Sequence, residues 1–285
     1  ANSIVKSECV RFTRYAPRKR ERKLMFYYLG RKCRLASKYP EPLHDTIVEP
    51  FCGSAAYSLH GERWRKNVIL TDINPDVIDV WRYLQQASMV NVLELPSMVK
   101  GDKLSDHKTL SNAERWLIRY HINPGSSQNS NVCTAFGEPT WKRAQLDIAC
   151  NLYKIKHWNV TQADYRTLDN VKATWFVDPP YHSSGIFYQS NDVSYPELAH
   201  WCMARNGQTI VCEQEPASWL PFRVLCHSRP ARGGKVSPEM WFHREDSGDC
   251  FNCKQPMSHT RCDCSRCGKP LCNDCFRDES HECNR

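Results

Sequence analysis

An apolar run that ends in an acid and two prolines constrains the fold more than any other stretch of this chain. The run is residues 175–177 (Trp-Phe-Val), followed by Asp178, Pro179, Pro180 and Tyr181. Short apolar runs of this kind suit buried strands of a parallel sheet. Because proline lacks an N–H donor and has a fixed φ, strand pairing and helix both end there. Asp178 is therefore predicted at the carboxyl end of a strand, where open α/β sheets bind ligands.

The side chains and carbonyls at this strand end suit a flat ligand. Asp178 is a hydrogen-bond acceptor, the carbonyls of Pro179 and Pro180 are expected to stay unpaired, and Tyr181 adds a ring with a polar tip. Acceptors and a stacking ring together can hold a nucleobase by its amino edge. The alternative is a strand that leads into an ordinary turn, and these four residues alone do not exclude it.

Strands and helices alternate along most of the chain. Strands are predicted at 46–51, 67–72, 157–161, 174–177, 208–212, 222–226 and 239–242, and helices at 25–39, after Gly53, and at 76–87, 113–120, 142–155 and 194–204. This alternation predicts an α/β fold with a doubly wound, mainly parallel sheet. Residues 88–150 break the alternation and predict an inserted subdomain.

The first predicted strand leads into a turn of small residues. Residues 49–55 (Glu-Pro-Phe-Cys-Gly-Ser-Ala) contain one glycine, Gly53, where a dinucleotide fingerprint has three. The second strand ends ~20 residues on in Asp72, where an acid would bind ribose hydroxyls. The two features together indicate a ribose-bearing cofactor. The alternative for Asp72 is a helix cap, because residues 72–75 (Asp-Ile-Asn-Pro) also suit a helix start.

Four blocks in this order resemble the Dam-like, D12-class DNA adenine-N6 methyltransferases, most of all the phage and prophage kind. They are residues 26–35 (Phe-Tyr-Tyr-Leu-Gly-Arg-Lys-Cys-Arg-Leu), 48–55, 163–165 (Ala-Asp-Tyr) and 177–181 (Val-Asp-Pro-Pro-Tyr), and the resemblance spans roughly 24–244. It implies a Rossmann-like methyltransferase fold and S-adenosylmethionine as cofactor. It also implies double-stranded DNA as partner, with an adenine flipped out and methylated on N6, and residues 88–150 as the target-recognition region.

The resemblance also implies a role for individual residues. The implied cofactor-binding residues are Tyr28, Gly30, Lys32, Glu49, Pro50, Phe51, Gly53, Asp72, Asp164 and Tyr165, and the implied catalytic residues are Asp178, Pro179, Pro180 and Tyr181. Two positions depart from the family pattern. Ala55 stands where the family turn usually has a second glycine, and since alanine tolerates helix we expect weaker but intact cofactor binding. Arg31 replaces a glycine of many members and adds a cation that can reach phosphate.

Basic residues are concentrated at the start of the chain. The net charge is +8, and residues 1–38 carry twelve Lys and Arg against Glu8 and Glu21. Such a segment suits a polyanion partner, with counterion release driving binding. The residues predicted to contact DNA are Arg11, Arg14, Arg18, Lys19, Arg20, Arg22, Lys23 and Arg31. The alternative is a solvated, partly disordered arm.

Eight of the sixteen cysteines lie between Cys250 and Cys283. Such crowding inside a cell indicates metal ligation, whereas the other eight cysteines are predicted to be small buried apolar residues. The predicted ligand pairs are Cys250 with Cys253, Cys264 with Cys267, Cys272 with Cys275, and His281 with Cys283. Eight ligands fit two tetrahedral structural Zn²⁺ sites, with the first and third pairs at one site and the second and fourth at the other. The spacing is similar to an AN1-type finger, and His259 and Cys262 remain as substitute ligands.

The predicted domains are a basic arm at 1–23, a methyltransferase domain at 24–247 and a zinc-binding module at 248–285. No apolar run approaches the ~20 residues of a membrane span, and the first residues are basic and polar. These features favour a soluble protein inside a cell. With the resemblance, the expected location is the cytoplasm of a bacterial or phage-infected cell, close to the nucleoid, with monomer and dimer both open. The predicted activity is N6-adenine methylation of DNA, with site-specific and relaxed recognition both open. The alternatives are a non-catalytic DNA-binding protein on the same fold and an RNA adenine methyltransferase.

Overall fold

The computed structural model describes residues 24–28, 30, 32–123, 131–182, 193–228, 237–245, 261–263 and 270–272. Its strands are β1 (Thr46–Glu49), β2 (Asn67–Asp72), β3 (Asn159–Gln162), β4 (Ala173–Val177), β5 (Gly207–Gln214), β6 (Arg223–Ser228), β7 (Ser237–Arg244), β8 (Arg261–Asp263) and β9 (Pro270–Cys272). Its α-helices are α1 (Pro75–Gln86), α2 (Met89–Leu93), α3 (Asn112–Ile122), α4 (Gly137–Asn151) and α5 (Tyr195–Met203). The chain divides into two compact units: unit 1 comprises Ala1–Ser37 and Cys52–Gln162, and unit 2 comprises Lys38–Phe51 and Ala163–Arg285.

Unit 1 combines a parallel strand pair with four helices. β2 and β3 pair in parallel, with Leu70 opposite Val160. Helix α1 packs against both strands and against α3, while α2 and α3 each pack against α4. The side chains of Trp81 and Trp141 are fully buried. Burying large aromatic side chains supplies much of the free energy that holds such helices in place.

Helix α1 begins and ends where its local sequence predicts. The Asn74 side chain accepts the Asp76 N–H at 3.0 Å, and Pro75 occupies the first turn, where its missing donor costs nothing. Val77, Val80, Trp81 and Leu84 are all buried, as are the helix's other apolar residues at this spacing. At the other end, the ammonium group of Lys156 donates to the carbonyls of residues 84, 85 and 87, which satisfies the last turn.

Unit 2 contains a mixed sheet. β4 pairs in parallel with β1 on one side and with β5 on the other, and Val177 lies opposite Val211. β7 pairs antiparallel with β5 and with β6. All five residues of β4 are buried, as expected for a central parallel strand that ends in the apolar run 175–177. The predicted α/β class is therefore confirmed, and the sheet is parallel up to β5 and antiparallel at its last two long strands.

Two predicted helices are wrong. Residues 25–39 form bends and turns where they are described, with a single 3-10 helix at Ala36–Lys38, and the chain after Gly53 forms turns up to the 3-10 helix Arg63–Arg65. Gly30 has φ +74° and Ala55 has φ +45°. Left-handed residues interrupt a right-handed helix, so neither segment can continue as one. Helix α4 begins five residues before the predicted start at 142.

The stretch 88–150, predicted as an inserted subdomain, consists of α2, α3 and α4 and belongs to unit 1 together with α1. Capping boxes start two of these helices: Ser88 with Asn91 starts α2, and Ser111 with Glu114 starts α3. Its role in target recognition stays a prediction. None of the helices in the described ranges is both long and apolar enough to cross a bilayer.

The cysteines outside the tail differ in their surroundings. Four of them are buried free thiols, as predicted: Cys52, Cys133, Cys202 and Cys212. Cys33 and Cys226 are half-buried, and Cys9 lies outside the described residues. Cys150 is disulfide-bonded, so its prediction as a packed thiol is wrong.

Candidate active site

Backbone N–H groups of the turn after β1 donate hydrogen bonds to the end of β2. The N–H of Cys52 donates to the carbonyl of Thr71 at 3.0 Å, and the N–H of Gly53 donates to Asp72 Oδ2 at 3.1 Å. The carbonyl of Gly53 accepts the indole N–H of Trp81 at 2.8 Å. The predicted cradle glycine and the predicted ribose acid therefore form one hydrogen-bonded unit within unit 1.

Asp72 is almost completely buried, and both its oxygens are engaged. Oδ1 accepts the Asn74 N–H at 3.0 Å, while Oδ2 accepts that of Gly53. Burial raises the pKa of this carboxyl to about 6, although the backbone donors at Asn74, Gly53 and Ile73 oppose the rise. The helix cap is Asn74 and not Asp72, so the helix-cap alternative is wrong. Oδ2 also accepts the Cys52 thiol at 4.0 Å, so this oxygen already has two donors.

Ala55 occupies a position that favours glycine. Its φ is +45°, in the left-handed region, and its side chain is buried. An L-residue pays ~1–2 kcal/mol for this conformation. The sequence suggested that alanine is tolerated here because it suits a helix. That reason is wrong, because Ala55 lies in a strained turn.

Three aromatic side chains pack together beside Gly53 in unit 1. An added Cβ at Gly53 would lie 2.8 Å from Cδ1 of Tyr28, so the ring rests directly on the glycine. The Tyr28 ring also meets Tyr120 of α3 edge-on at 5.7 Å, and Tyr120 stacks on Phe26 at 5.1 Å. Burial, followed by the charges of Tyr28, Asp76 and Asp72, raises the pKa of the Tyr120 hydroxyl. Tyr120 was not predicted; only its place near the end of an amphipathic helix marks it in the sequence.

Two further predicted cofactor residues lie at the start of unit 1. Gly30 is exposed with φ +74°, and its carbonyl accepts the Lys32 ammonium at 2.7 Å. Lys32 is only 3% exposed, which is unusual for a lysine. Ile73, next to Asp72, is 47% exposed and offers an apolar surface that the sequence reasoning missed.

Unit 2 holds the other predicted cofactor residues. Glu49 and Pro50 are buried at the end of β1, and the Phe51 ring lies 5.3 Å from that of Tyr165. Asp164 is held by Arg166, whose Nε and Nη2 donate to its two oxygens at 2.9 and 2.6 Å. The hydrogen bond from the Arg166 side chain lowers the pKa of Asp164. Arg166 is a further residue that the sequence reasoning missed.

The tetrapeptide Asp178–Tyr181 follows directly on β4. Asp178 and Tyr181 are half-buried, whereas Pro179 and Pro180 are buried. The carbonyl of Pro180 accepts the hydroxyl of Tyr195 at 2.7 Å. The expectation that both proline carbonyls stay unpaired is therefore wrong for Pro180, because a tyrosine of α5 reaches it.

Groups beneath the tetrapeptide were not predicted. Tyr39 is buried, and its pKa is raised well above the ordinary value, first by burial and then by Cys212, Tyr181 and Asp178. Glu213 accepts the backbone N–H of His182, which immediately follows Tyr181. Tyr39, Tyr195 and Glu213 are distant from the tetrapeptide in sequence, so only the fold brings them to it.

The predicted DNA contacts and zinc ligands lie outside the part of the chain whose side chains are described. This applies to the basic residues Arg11, Arg14, Arg18, Lys19, Arg20, Arg22, Lys23 and Arg31, and to the ligands Cys250, Cys253, Cys264, Cys267, Cys272, Cys275, His281 and Cys283. Of the tail, only the backbones of β8 and β9 are described, paired antiparallel. Within the described residues, no group of three or more His, Cys, Asp or Glu is arranged to hold a metal ion.

One protein-family model matches the first part of the chain. Residues 28–118 match the model of the D12 class N6 adenine-specific DNA methyltransferases. The matched range contains Tyr28, Gly53 and Asp72. The match supports an S-adenosylmethionine-dependent adenine methyltransferase, and hence an enzyme.

Comparisons with curated sequences and with solved structures do not identify a function for the chain. No curated protein sequence matches the chain. One similar solved structure is the rRNA methyltransferase aviRa from Streptomyces viridochromogenes, at 15% identity and a TM-score of 0.35, covering 75% of this chain and 85% of that chain. No conclusion follows from a likeness at this score.

Proposed function

We propose that the chain transfers a methyl group from S-adenosylmethionine to the N6 amino group of adenine in double-stranded DNA. The D12-class match over residues 28–118 carries the proposal, and the Asp178–Tyr181 tetrapeptide after β4 supports it. The phage and prophage type of the family is part of the same proposal.

The residues around Gly53 fit a ribose-bearing methyl donor. Gly53 has φ +42° with the Tyr28 ring packed on it, and Asp72 accepts the Gly53 N–H at 3.1 Å, which places its carboxylate beside the turn. In the proposal Glu49, Phe51 and Gly53 hold the methionine side of the donor, and Asp72 holds the ribose hydroxyls. Asp164 and Tyr165 contact the cofactor adenine, and the block from Tyr28 to Lys32 closes over the donor. The bound sulfonium supplies an activated methyl group.

The tetrapeptide can activate the acceptor amine. The adenine amino group is a poor nucleophile, because its lone pair is delocalised into the ring. Asp178 and the carbonyl of Pro179 accept its two N–H bonds and raise electron density on nitrogen, while Tyr181 stacks on the ring. The Pro180 carbonyl is engaged by Tyr195, so its proposed contribution is to shape the loop. Positioning and electrostatics supply most of the rate.

The target adenine must leave the helix before it can react. In a duplex its amino group is paired and stacked, so extrusion costs a few kcal/mol. The basic residues between Arg11 and Lys23, with Arg31, are proposed to hold the phosphate backbone. Helices α2–α4 of the stretch 88–150 are proposed to contact the target sequence, with low specificity.

The zinc module is a separate proposal. The spacing of the eight predicted ligands, from Cys250 to Cys283, suits two closed tetrahedral sites similar to those of an AN1-type finger. Such sites would supply the folding free energy of a tail with few apolar residues. Elemental analysis of the purified chain should find two zinc ions per chain. A chain purified with zinc supplied that contains none would contradict this proposal.

The activity is tested by incubating the protein with methyl-labelled S-adenosylmethionine and either adenine-containing DNA duplex or RNA of the same sequence. We expect label in DNA and little in RNA. Label in RNA alone would show that the protein is an RNA methyltransferase instead. Binding of DNA without any transfer would favour the non-catalytic alternative.

A further inference from the structure

Glu213 is a buried acid with no part in the proposed chemistry. It lies next to the last residue of β5, its exposed fraction is 0%, and its neighbours Val211 and Cys212 are buried as well. A carboxylate buried without partners is very unfavourable, so an acid at such a position needs hydrogen bonds or loses its charge. The hydrogen-bond donors around Glu213 therefore indicate its role.

Three donors converge on this carboxylate. Oε2 accepts the His182 backbone N–H at 3.3 Å and the Trp219 indole N–H at 2.9 Å, and Oε1 accepts the Gln214 N–H at 2.9 Å. Burial raises the pKa of Glu213, while these three hydrogen bonds favour the ionised form. The bond to His182 is the informative one, because it ties the residue after Tyr181 to a neighbouring strand.

A second contact fixes the same loop. Tyr195 donates its hydroxyl to the carbonyl of Pro180 at 2.7 Å. Its ring lies 4.8 Å from that of His182 and 5.6 Å from that of Trp219. The tetrapeptide is therefore anchored at Pro180 by Tyr195 and directly after Tyr181 by Glu213, and Trp219 links the two anchors.

We propose that Glu213 is a positioning residue for methyl transfer, which fixes the loop from Asp178 to His182 by accepting the His182 N–H and the Trp219 indole. This inference rests on the proposed function. The acceptors at Asp178 and Pro179 must meet two N–H bonds of one amino group, so a small displacement of the loop misaligns both. Misplacement by 1 Å can cost about 100-fold in rate.

Two substitutions at this position separate the hydrogen bonds from the charge. In Glu213→Gln the amide oxygen can replace Oε2 and retain the bonds to His182 and Trp219, whereas Glu213→Ala removes both. The bond from the Gln214 N–H to Oε1 is lost in both variants, because the amide NH₂ group is a donor. We expect kcat for DNA methylation to fall about 100-fold in Glu213→Ala and by less than about 10-fold in Glu213→Gln. The Kd for S-adenosylmethionine should stay within about twofold of wild type in both variants, because the loop holds the acceptor base.

The control is Glu215→Gln, which alters an exposed acid two residues away and should leave kcat unchanged. If Glu213→Gln is as impaired as Glu213→Ala, retaining the bonds to His182 and Trp219 does not preserve activity, and the positioning role is wrong. The positioning role would also be wrong if kcat of Glu213→Ala stayed within about threefold of wild type, because a change of one side-chain rotamer can have an effect of that size.

Amide hydrogen exchange at His182 tests the anchor without relying on activity. Exchange should be at least about 10-fold faster in Glu213→Ala and close to wild type in Glu213→Gln, because only the former loses the acceptor. A wild-type protein that transfers no methyl group would refute the proposed function. Unchanged exchange in Glu213→Ala would instead refute the anchor itself.

Discussion

The backbone N–H of Gly53 donates to the carboxylate of Asp72 at 3.1 Å, so two residues predicted to bind the cofactor are joined by a hydrogen bond. A change at either residue therefore affects the other. Since Asp72 also accepts the N–H of Asn74, which caps α1, the carboxylate connects the turn after β1 to the start of that helix. Four predictions test this arrangement and the loop after β4.

The stability of the protein should depend on pH through Asp72. Its pKa is raised from 3.8 to about 6, so the native state binds a proton more tightly than the unfolded state. The free energy of unfolding should therefore fall as pH rises from 4 to 6, by up to about 3 kcal/mol from this residue. Urea unfolding of wild type and Asp72→Asn between pH 4 and 7 measures it. The fall should be smaller in the variant, and identical pH slopes would contradict the assignment.

Substitution of Gly53 by alanine should weaken cofactor binding through the Tyr28 ring. The new Cβ would lie 2.8 Å from Tyr28 Cδ1 at φ +42°. Gly61 is a matched control, because its φ is +58° but nothing lies within 4 Å of an added Cβ. Both variants should lose about 1–2 kcal/mol of stability from backbone strain. Only Gly53→Ala should raise the Kd for S-adenosylmethionine, by at least about 10-fold; equal effects on Kd would argue against the cradle.

Ala55→Gly should stabilise the turn. It relieves the strain of φ +45° and loses one buried methyl group, so we expect a gain of up to about 1 kcal/mol in the free energy of unfolding. Ala56 is also buried but does not have a positive φ, and Ala56→Gly should cost about 1 kcal/mol. Denaturant unfolding compares the two. If both variants lose similar stability, Ala55 is not strained.

Tyr195→Phe should slow methyl transfer without affecting cofactor binding. The substitution keeps the ring and removes only the hydrogen bond to the carbonyl of Pro180, so we expect kcat to fall about 10-fold. Tyr153→Phe, at a side chain that is 60% exposed, is the control. Steady-state kinetics at saturating DNA measures the effect. An unchanged kcat would show that this anchor does not shape the loop.

Residues that follow strands were predictable from sequence. Asp72 and Asp178 end apolar runs, and parallel strands place such residues at a ligand-binding edge, so their positions needed no tertiary information. Helix α1 was predictable because its cap, its proline and its apolar spacing agree. The parallel pairing of β2 with β3 in unit 1, and of β1, β4 and β5 in unit 2, followed from the same alternation.

The supporting residues were not predictable in this way. Glu213 lies at the end of an apolar strand. An acidic residue in such a run is the one sequence signal that could have identified it as a functional residue. Tyr39 and Tyr195 have no such signal, because their partners are brought to them by the fold. The helix predicted at 25–39 failed because the left-handed conformation of Gly30 depends on contacts that local propensity does not contain.

The most direct test of the central claim is to identify the methylated nucleoside. Adenine-containing DNA free of prior methylation is incubated with S-adenosylmethionine and either wild type or Asp178→Asn, then digested to nucleosides and analysed by mass spectrometry. Thermal unfolding of both proteins verifies that the variant is folded. We predict N6-methyldeoxyadenosine with wild type and at least about 100-fold less with Asp178→Asn, because one acceptor of the amino group is weakened. Methylcytosine as the product, or equal N6-methyldeoxyadenosine from both proteins, would contradict the account.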